Sequence, residues 1–131
     1  MAFIEVAAAI IEQRGKFLIT RRTASQHLAG HWEFPGGKRR RGESWKRCLA
    51  RELREELGVI AQVGKRFAFV EHQYPEKSIR IAFYRSRILA GSPRALEGQD
   101  ARWVSRRGLS ALRFPEADDA VVRKLTRVSA R

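Results

Sequence analysis

Three glutamates, Glu52, Glu55 and Glu56, stand on a segment that runs Arg51-Glu52-Leu53-Arg54-Glu55-Glu56-Leu57 into Gly58. An α-helix turns about 100° per residue, so the three carboxylates fall within an arc of about 100° on one side. Trp45, Cys48, Leu49, Leu53 and Leu57 project onto much the same side, while Arg47 and Arg54 point the opposite way. An amphipathic helix keeps its charges off its apolar stripe, yet Glu52 and Glu56 interrupt this one. A buried carboxylate must find a cation or a strong donor. Clustered carboxylates repel one another, and oxygen ligands with an incomplete shell suit Mg²⁺ or Mn²⁺ held together with substrate phosphates. A plainer arrangement uses the same residues: a solvated helix whose glutamates pair with Arg51 and Arg54.

The elements that must hold this helix are legible from local signals. Ser44 is a good N-cap, and Gly58 is placed to end the helix. Glu43, just before the helix, is expected to favour its positive end. Upstream, residues 3–12 read as a buried strand. The turn Gln13-Arg14-Gly15-Lys16 joins it to a second strand over residues 17–20. Residues 32–34 read as a short strand stopped by Pro35, after which Gly36-Gly37 is expected to form a tight turn and Lys38-Arg39-Arg40-Arg41 a basic loop. Downstream, residues 66–74 and 78–89 read as strands around the turn Pro75-Glu76-Lys77. Ile79, Ile81 and Phe83 alternate with Arg80, Ala82 and Tyr84, the pattern of a half-buried strand. Residues 101–104 form another short strand and residues 109–112 a helical turn. Asp118 or Asp119 is expected to cap a last helix with the stripe Val121, Val122, Leu125 and Val128. No repeat or linker divides the chain, so residues 1–131 read as one domain with a mixed sheet packed between helices.

The chain has 131 residues, enough for one sizeable core. It contains no run of 18 apolar residues that would cross a membrane, and its first residues lack the basic segment and cleavage site of a signal peptide. A lone cysteine, Cys48, rules out an intramolecular disulfide and a cysteine zinc site, and reads as core. These features predict a soluble cytoplasmic protein. Lys and Arg number 27 against 14 Asp and Glu, a net charge of +13. That balance suits polyanions, whether nucleotides or nucleic acid, and equally fits a merely solvated arginine-rich surface. No RNP1-type aromatic motif accompanies it.

Gly37, five residues, Glu43, seven residues, and then Arg51-Glu52-Leu53-x-Glu55-Glu56-x-Gly58-Val59 resembles the complete signature of the Nudix hydrolases. Thr20-Arg21-Arg22, His27, the segment Trp32-Glu33-Phe34-Pro35-Gly36-Gly37-Lys38 and the late Glu97-Gly98-Gln99 resemble the MutT-like branch, the nucleotide-pool-sanitising triphosphatases. The resemblance implies an α/β (α+β) fold, the Nudix αβα sandwich. It also implies Mg²⁺, with Mn²⁺ as a substitute, held by Glu52, Glu55, Glu56, Glu97 and a carbonyl of Gly36 or Gly37. Arg51 would orient the glutamates, against the alternative of a surface arginine paired with Glu55. Glu97 would be a candidate general base, against an ordinary loop carboxylate. Lys38 would meet a phosphate. Arg22, His27, Glu33, Phe34, Pro35, Gly36 and the segment Phe114-Pro115-Glu116-Ala117-Asp118 would face the nucleotide.

Asp118 departs from the asparagine expected in relatives selective for 8-oxo-dGTP. An amide donates and accepts, whereas an ionised Asp only accepts. A carboxylate here could take the N7–H of oxidised guanine or the amino group of cytosine. A proton shared between adjacent Asp118 and Asp119 would restore a donor. The implied activity is hydrolysis of a nucleoside triphosphate, foremost 8-oxo-dGTP, to the monophosphate and pyrophosphate. The rivals are a (d)CTP-type pyrophosphatase, an RNA 5′-pyrophosphohydrolase, and a non-catalytic module that senses nucleotide or nucleic acid. The expected partners are a nucleoside triphosphate and, through the basic charge, nucleic acid; the expected state is a monomer or weak homodimer.

Overall fold

The computed structural model describes residues 3–26 and 28–128, the side chain of Val128 excepted. The elements in chain order are β1 (Phe3–Gln13), β2 (Lys16–Arg21), β3 (Trp32–Glu33), β4 (Gly36–Lys38), α1 (Trp45–Leu57), β5 (Ile60–Tyr74), β6 (Lys77–Ala90), β7 (Ala101–Ser105) and α2 (Arg106–Leu109), then a 3₁₀ turn (Glu116–Asp118) and α3 (Asp119–Val128). The strands form one sheet in the order β3-β2-β1-β6-β5, with β4 added to β1 and β7 to β2. β1 and β6 run parallel, and the other pairs are antiparallel.

Successive side chains of a strand point to opposite faces, and β1 uses both. Ala7, Ala9 and Ile11 pack with Cys48, Leu49, Leu53 and Leu57 of α1. Ala8 and Ile10 join Leu109, Ala117, Val121 and Leu125 on the other face. Helices therefore cover both faces, and the expected sandwich is present. For the same reason β6 is not half-buried: Ile81, Ala82, Phe83 and Tyr84 are all buried, on alternating faces.

β1 also changes neighbours along its length. Glu12 and Gln13 pair with β2, whereas Val6, Ala7 and Ala8 pair with Lys38, Gly37 and Gly36. The two glycines thus form a strand and not the expected turn. A Cβ on Gly36 would stand 1.9 Å from the Ala7 carbonyl oxygen, so this close pairing admits no side chain there. The strand after α1 begins at Ile60, six residues earlier than its apolar pattern indicated, because register shifts between Val63 and Ala68 break the alternation.

α1 starts and stops as its caps require. The Ser44 hydroxyl accepts the Arg47 N–H at 3.2 Å, and Gly58 adopts a left-handed φ of 71° and donates to the Arg54 carbonyl at 3.0 Å. Leu49, Leu53 and Leu57 are fully buried, each worth roughly 1.5–3 kcal/mol. Together they offset the cost of about several kcal/mol for burying the Glu56 carboxyl, one oxygen of which has no partner, in the same stripe.

Candidate active site

Arg51 organises the glutamates at the start of the site. Its guanidinium donates to both Glu43 oxygens at 2.6 and 2.9 Å, to Glu52 Oε2 at 2.8 Å, to Glu55 Oε1 at 3.1 Å and to the Lys38 carbonyl at 3.1 Å. These bonds raise the pKa of Arg51 and hold the Glu43 carboxyl down at about 2. Glu43 therefore anchors Arg51, with the Arg40 N–H as its other partner, while the hydrogen-bonding cap of the helix is Ser44. The i,i+4 pair with Glu55 exists, but as one spoke of a larger hub.

Glu56 lies one turn on and faces inward. It is 8% exposed, and its Oε1 has no hydrogen-bond partner. Burial, and then the charges of Glu33, Glu97 and Glu52, push its carboxyl up to about 9, against the favourable N–H of Gly36. Burial likewise raises Glu52, opposed by Arg51. A Cβ on Gly37 would stand 2.3 Å from Glu52 Oε1, so the second glycine gives that carboxylate its room. The Gly37 carbonyl accepts the Cys48 thiol at 3.6 Å, and burial keeps that thiol protonated by pushing it up to about 11.

The loop after β6 closes over the end of α1. Arg94 N–H meets the Leu57 carbonyl at 2.9 Å and Leu96 N–H meets the Glu56 carbonyl at 3.1 Å, satisfying two of the terminal carbonyls a helix leaves open. Glu97 follows directly and lines a cavity of about 100 Å³ with Thr23, Gln26, Glu33, Glu56 and Gln99. The cavity accounts for the electrostatic influence of Glu97 on Glu52 and Glu56. Among the described residues no three acidic, histidine or cysteine side chains converge as a finished metal cage. Even so, a divalent cation fits the donors. They are oxygens, Glu56 keeps a buried and unpartnered one, and the mutual repulsion of Glu33, Glu52, Glu56 and Glu97 is what a cation would relieve.

A second cavity, of about 160 Å³, opens on the far side of Glu56. Arg22, Glu33, Phe34, Gly36, Lys38 and Asp118 of the expected set line it. Pro35 does not; it is buried, and its carbonyl accepts the Ala9 N–H at 2.8 Å. Phe34 forms the wall, stacked on Phe114 with ring centroids 5.4 Å apart. Arg22 Nη1 is paired with Glu33 Oε1. His27 lies outside the described residues.

Asp118 ends the 3₁₀ turn directly before α3 and is 5% exposed. Burial, then Glu33, raises its pKa well above the ordinary carboxylate range; Asp119 contributes less than either. The proton expected from an Asp118–Asp119 pair is thus favoured chiefly by desolvation. Sequence reasoning missed Tyr74, whose hydroxyl accepts the Ala117 N–H at 3.1 Å and so fixes the turn carrying Asp118. It also missed the place of Gln99, whose only signal was its position two residues after Glu97.

A family model described as the NUDIX domain matches residues 6–124. The 8-oxo-dGTP diphosphatase of Escherichia coli (strain K12) is 37% identical over 129 residues, covering 98% of this chain and 100% of that protein. The CTP pyrophosphohydrolase of the same organism is 41% identical over 117 residues, covering 89% of this chain and 85% of that one. Among solved structures, the solution structure of the E. coli ORF135 protein superposes with a TM-score of 0.83 at 36% identity, covering 99% of this chain and 93% of that chain.

Proposed function

The chain belongs to the NUDIX domain family, and from that premise we propose that it is a Mg²⁺-dependent nucleoside triphosphate pyrophosphohydrolase whose foremost substrate is 8-oxo-dGTP. The observation that carries this reading is the junction of the two cavities: Gln26, Glu33 and Glu56 line both. A base bound against Phe34 and Asp118 would send its phosphates past Glu56 toward Glu52 and Glu97. Water attacks phosphorus, and the products are a nucleoside monophosphate and pyrophosphate.

Glu52 and Glu56, with Glu55 and Glu97 beside them, are the residues that would hold the cation. When bound, it neutralises phosphate charge and lowers the pKa of a coordinated water. The chain's own residues do the rest. Arg51 fixes Glu52 and Glu55 through charge-assisted bonds. Glu97 accepts a proton from the attacking water. Lys38 meets a phosphate at the cavity rim as a point charge. A protonated Asp118 both donates and accepts, so it takes the N7–H of oxidised guanine and donates to the neighbouring O6, where ordinary guanine offers two acceptors.

A cytidine nucleotide is the second reading, favoured by the relative named CTP pyrophosphohydrolase. Cytosine also presents an amino donor beside an acceptor, which a protonated carboxyl matches.

The test is kcat/KM with Mg²⁺ and product identification for 8-oxo-dGTP, dGTP, dCTP and a 5′-triphosphate RNA. A preference for 8-oxo-dGTP with release of pyrophosphate is expected. A preference for dCTP or RNA keeps the metal site and overturns the substrate; binding without turnover of any of them overturns the enzyme. Replacing Glu56 with Gln is expected to lower kcat by orders of magnitude in a folded protein, and near-normal turnover would remove Glu56 from the ligand set.

A further inference from the structure

We propose that Gln99 is a positioning residue that holds Glu97 at the carboxylate cavity, an inference that rests on the reading of Glu97 as a working group of that cavity. The segment carrying Glu97 is stitched down at both ends. On one side Arg94 and Leu96 are tied to the last carbonyls of α1; on the other, the Asp100 carbonyl accepts the Arg21 N–H at 2.9 Å. Between these points the Glu97 N–H is met by Gln99 Oε1 at 3.1 Å. Gly98, with a φ of +80°, turns the chain back so that residue 99 can reach residue 97.

Gln99 is placed there at a cost. An N–H can be met only by an oxygen, so this bond fixes which end of the amide faces Glu97 and which faces away. The far end, Nε2, is buried without a partner, and the residue is 9% exposed. An unsatisfied buried donor is destabilising, and an apolar side chain of similar volume is commonly neutral or better. Packing therefore does not explain an amide at this position, whereas the bond to Glu97 does. The chain geometry points the same way. Two residues after Gln99 the chain enters β7 at Ala101, and buried Thr20 of β2 pairs in register with both Ala101 and Glu33. The segment reaching Gln99 thus joins the sheet directly across from Glu33, on the wall of the cavity that Glu56 and Glu97 share.

The experiment compares Gln99→Met, which keeps length and approximate volume but removes the acceptor, with Gln99→Glu, which keeps an acceptor. In metal-free protein, amide hydrogen exchange at Glu97 is expected to quicken by at least about tenfold in Gln99→Met, with Tm equal to or above wild type. In the Mg²⁺-loaded enzyme kcat is expected to fall by at least about tenfold while KM changes little, since misplacing one reacting group costs that much or more. Gln99→Glu is expected to restore slow exchange. Unchanged exchange in Gln99→Met, unchanged kcat, or a fall in Tm that accounts for the lost activity would each overturn the proposal. Should Gln99→Met fail to fold, fast Glu97 exchange in Gln99→Glu would overturn it too. A wild-type protein that hydrolyses no nucleoside triphosphate would sink the proposed function, while exchange at Glu97 would still decide the clamp.

Discussion

Asp118 titrates against its surroundings. Below the ordinary value of 3.8 it is protonated in both the folded and unfolded chain. As pH rises past that value the unfolded chain ionises, while burial keeps the folded carboxyl protonated, so stability is lost up to the raised folded pKa. Replacing Asp118 with Asn removes that loss. The Tm advantage of the variant over wild type is expected to grow as pH rises past the ordinary value of 3.8, and thermal melts from acid to neutral pH check it. The same substitution is expected to change the ratio of kcat/KM for 8-oxo-dGTP over dGTP, because Asn holds one fixed donor and one fixed acceptor at every pH. A flat Tm difference would mean that the site is wetter than its burial implies. An unchanged ratio would take Asp118 out of base reading.

At the scale of elements, β4 and α1 meet through two glycines whose replacements should fail differently. A Cβ at Gly37 meets the movable carboxyl of Glu52, whereas one at Gly36 meets the backbone of β1. Gly37→Ala is therefore expected to keep a Tm near wild type and lose most of kcat, as Glu52 is displaced. Gly36→Ala is expected to lower Tm as β4 parts from β1. Equal Tm for the two would contradict this division. The Glu43–Arg51 bond ties the loop before α1 to the helix itself. Its folded pKa of about 2 lies below the ordinary 4.5. The stability it adds is full above about 4.5 and is lost as pH falls through about 2. Glu43→Gln is expected to melt below wild type at neutral pH and to converge with it in strong acid. A constant difference would place the effect in packing.

Across the whole molecule, a net charge of +13 surrounds a hollow lined by Glu33, Glu56, Glu97 and Asp118. The outer field attracts a triphosphate, while the hollow repels it until a cation intervenes. Screening acts on the long-range part, because the Debye length shortens to a few ångströms at high salt. Raising ionic strength from about 0.05 M to about 0.5 M is expected to lower kcat/KM several-fold with little change in kcat. A salt effect on kcat alone would locate the dependence in the chemical step. Among the described residues no helix is long and apolar enough to cross a membrane.

By itself the sequence determined α1 and the carboxylates it carries. A helix is written by neighbours three and four residues apart, and Ser44, Gly58 and the apolar stripe of Leu49, Leu53 and Leu57 are all local statements. The position of Glu56 within that stripe already required a charge to be buried, and most strands were legible from their apolar runs. Tertiary structure alone decided the features that join distant segments. Gly36 and Gly37 became a strand because Val6 to Ala8 lay free to pair with them. Glu43 is held by Arg51 because the guanidinium, eight residues further on, meets both of its carboxylate oxygens. Asp118 lost its water because Tyr74, more than forty residues away, holds its turn against the sheet. Desolvation and cross-strand contact depend on what the rest of the chain places nearby, and no local periodicity records that.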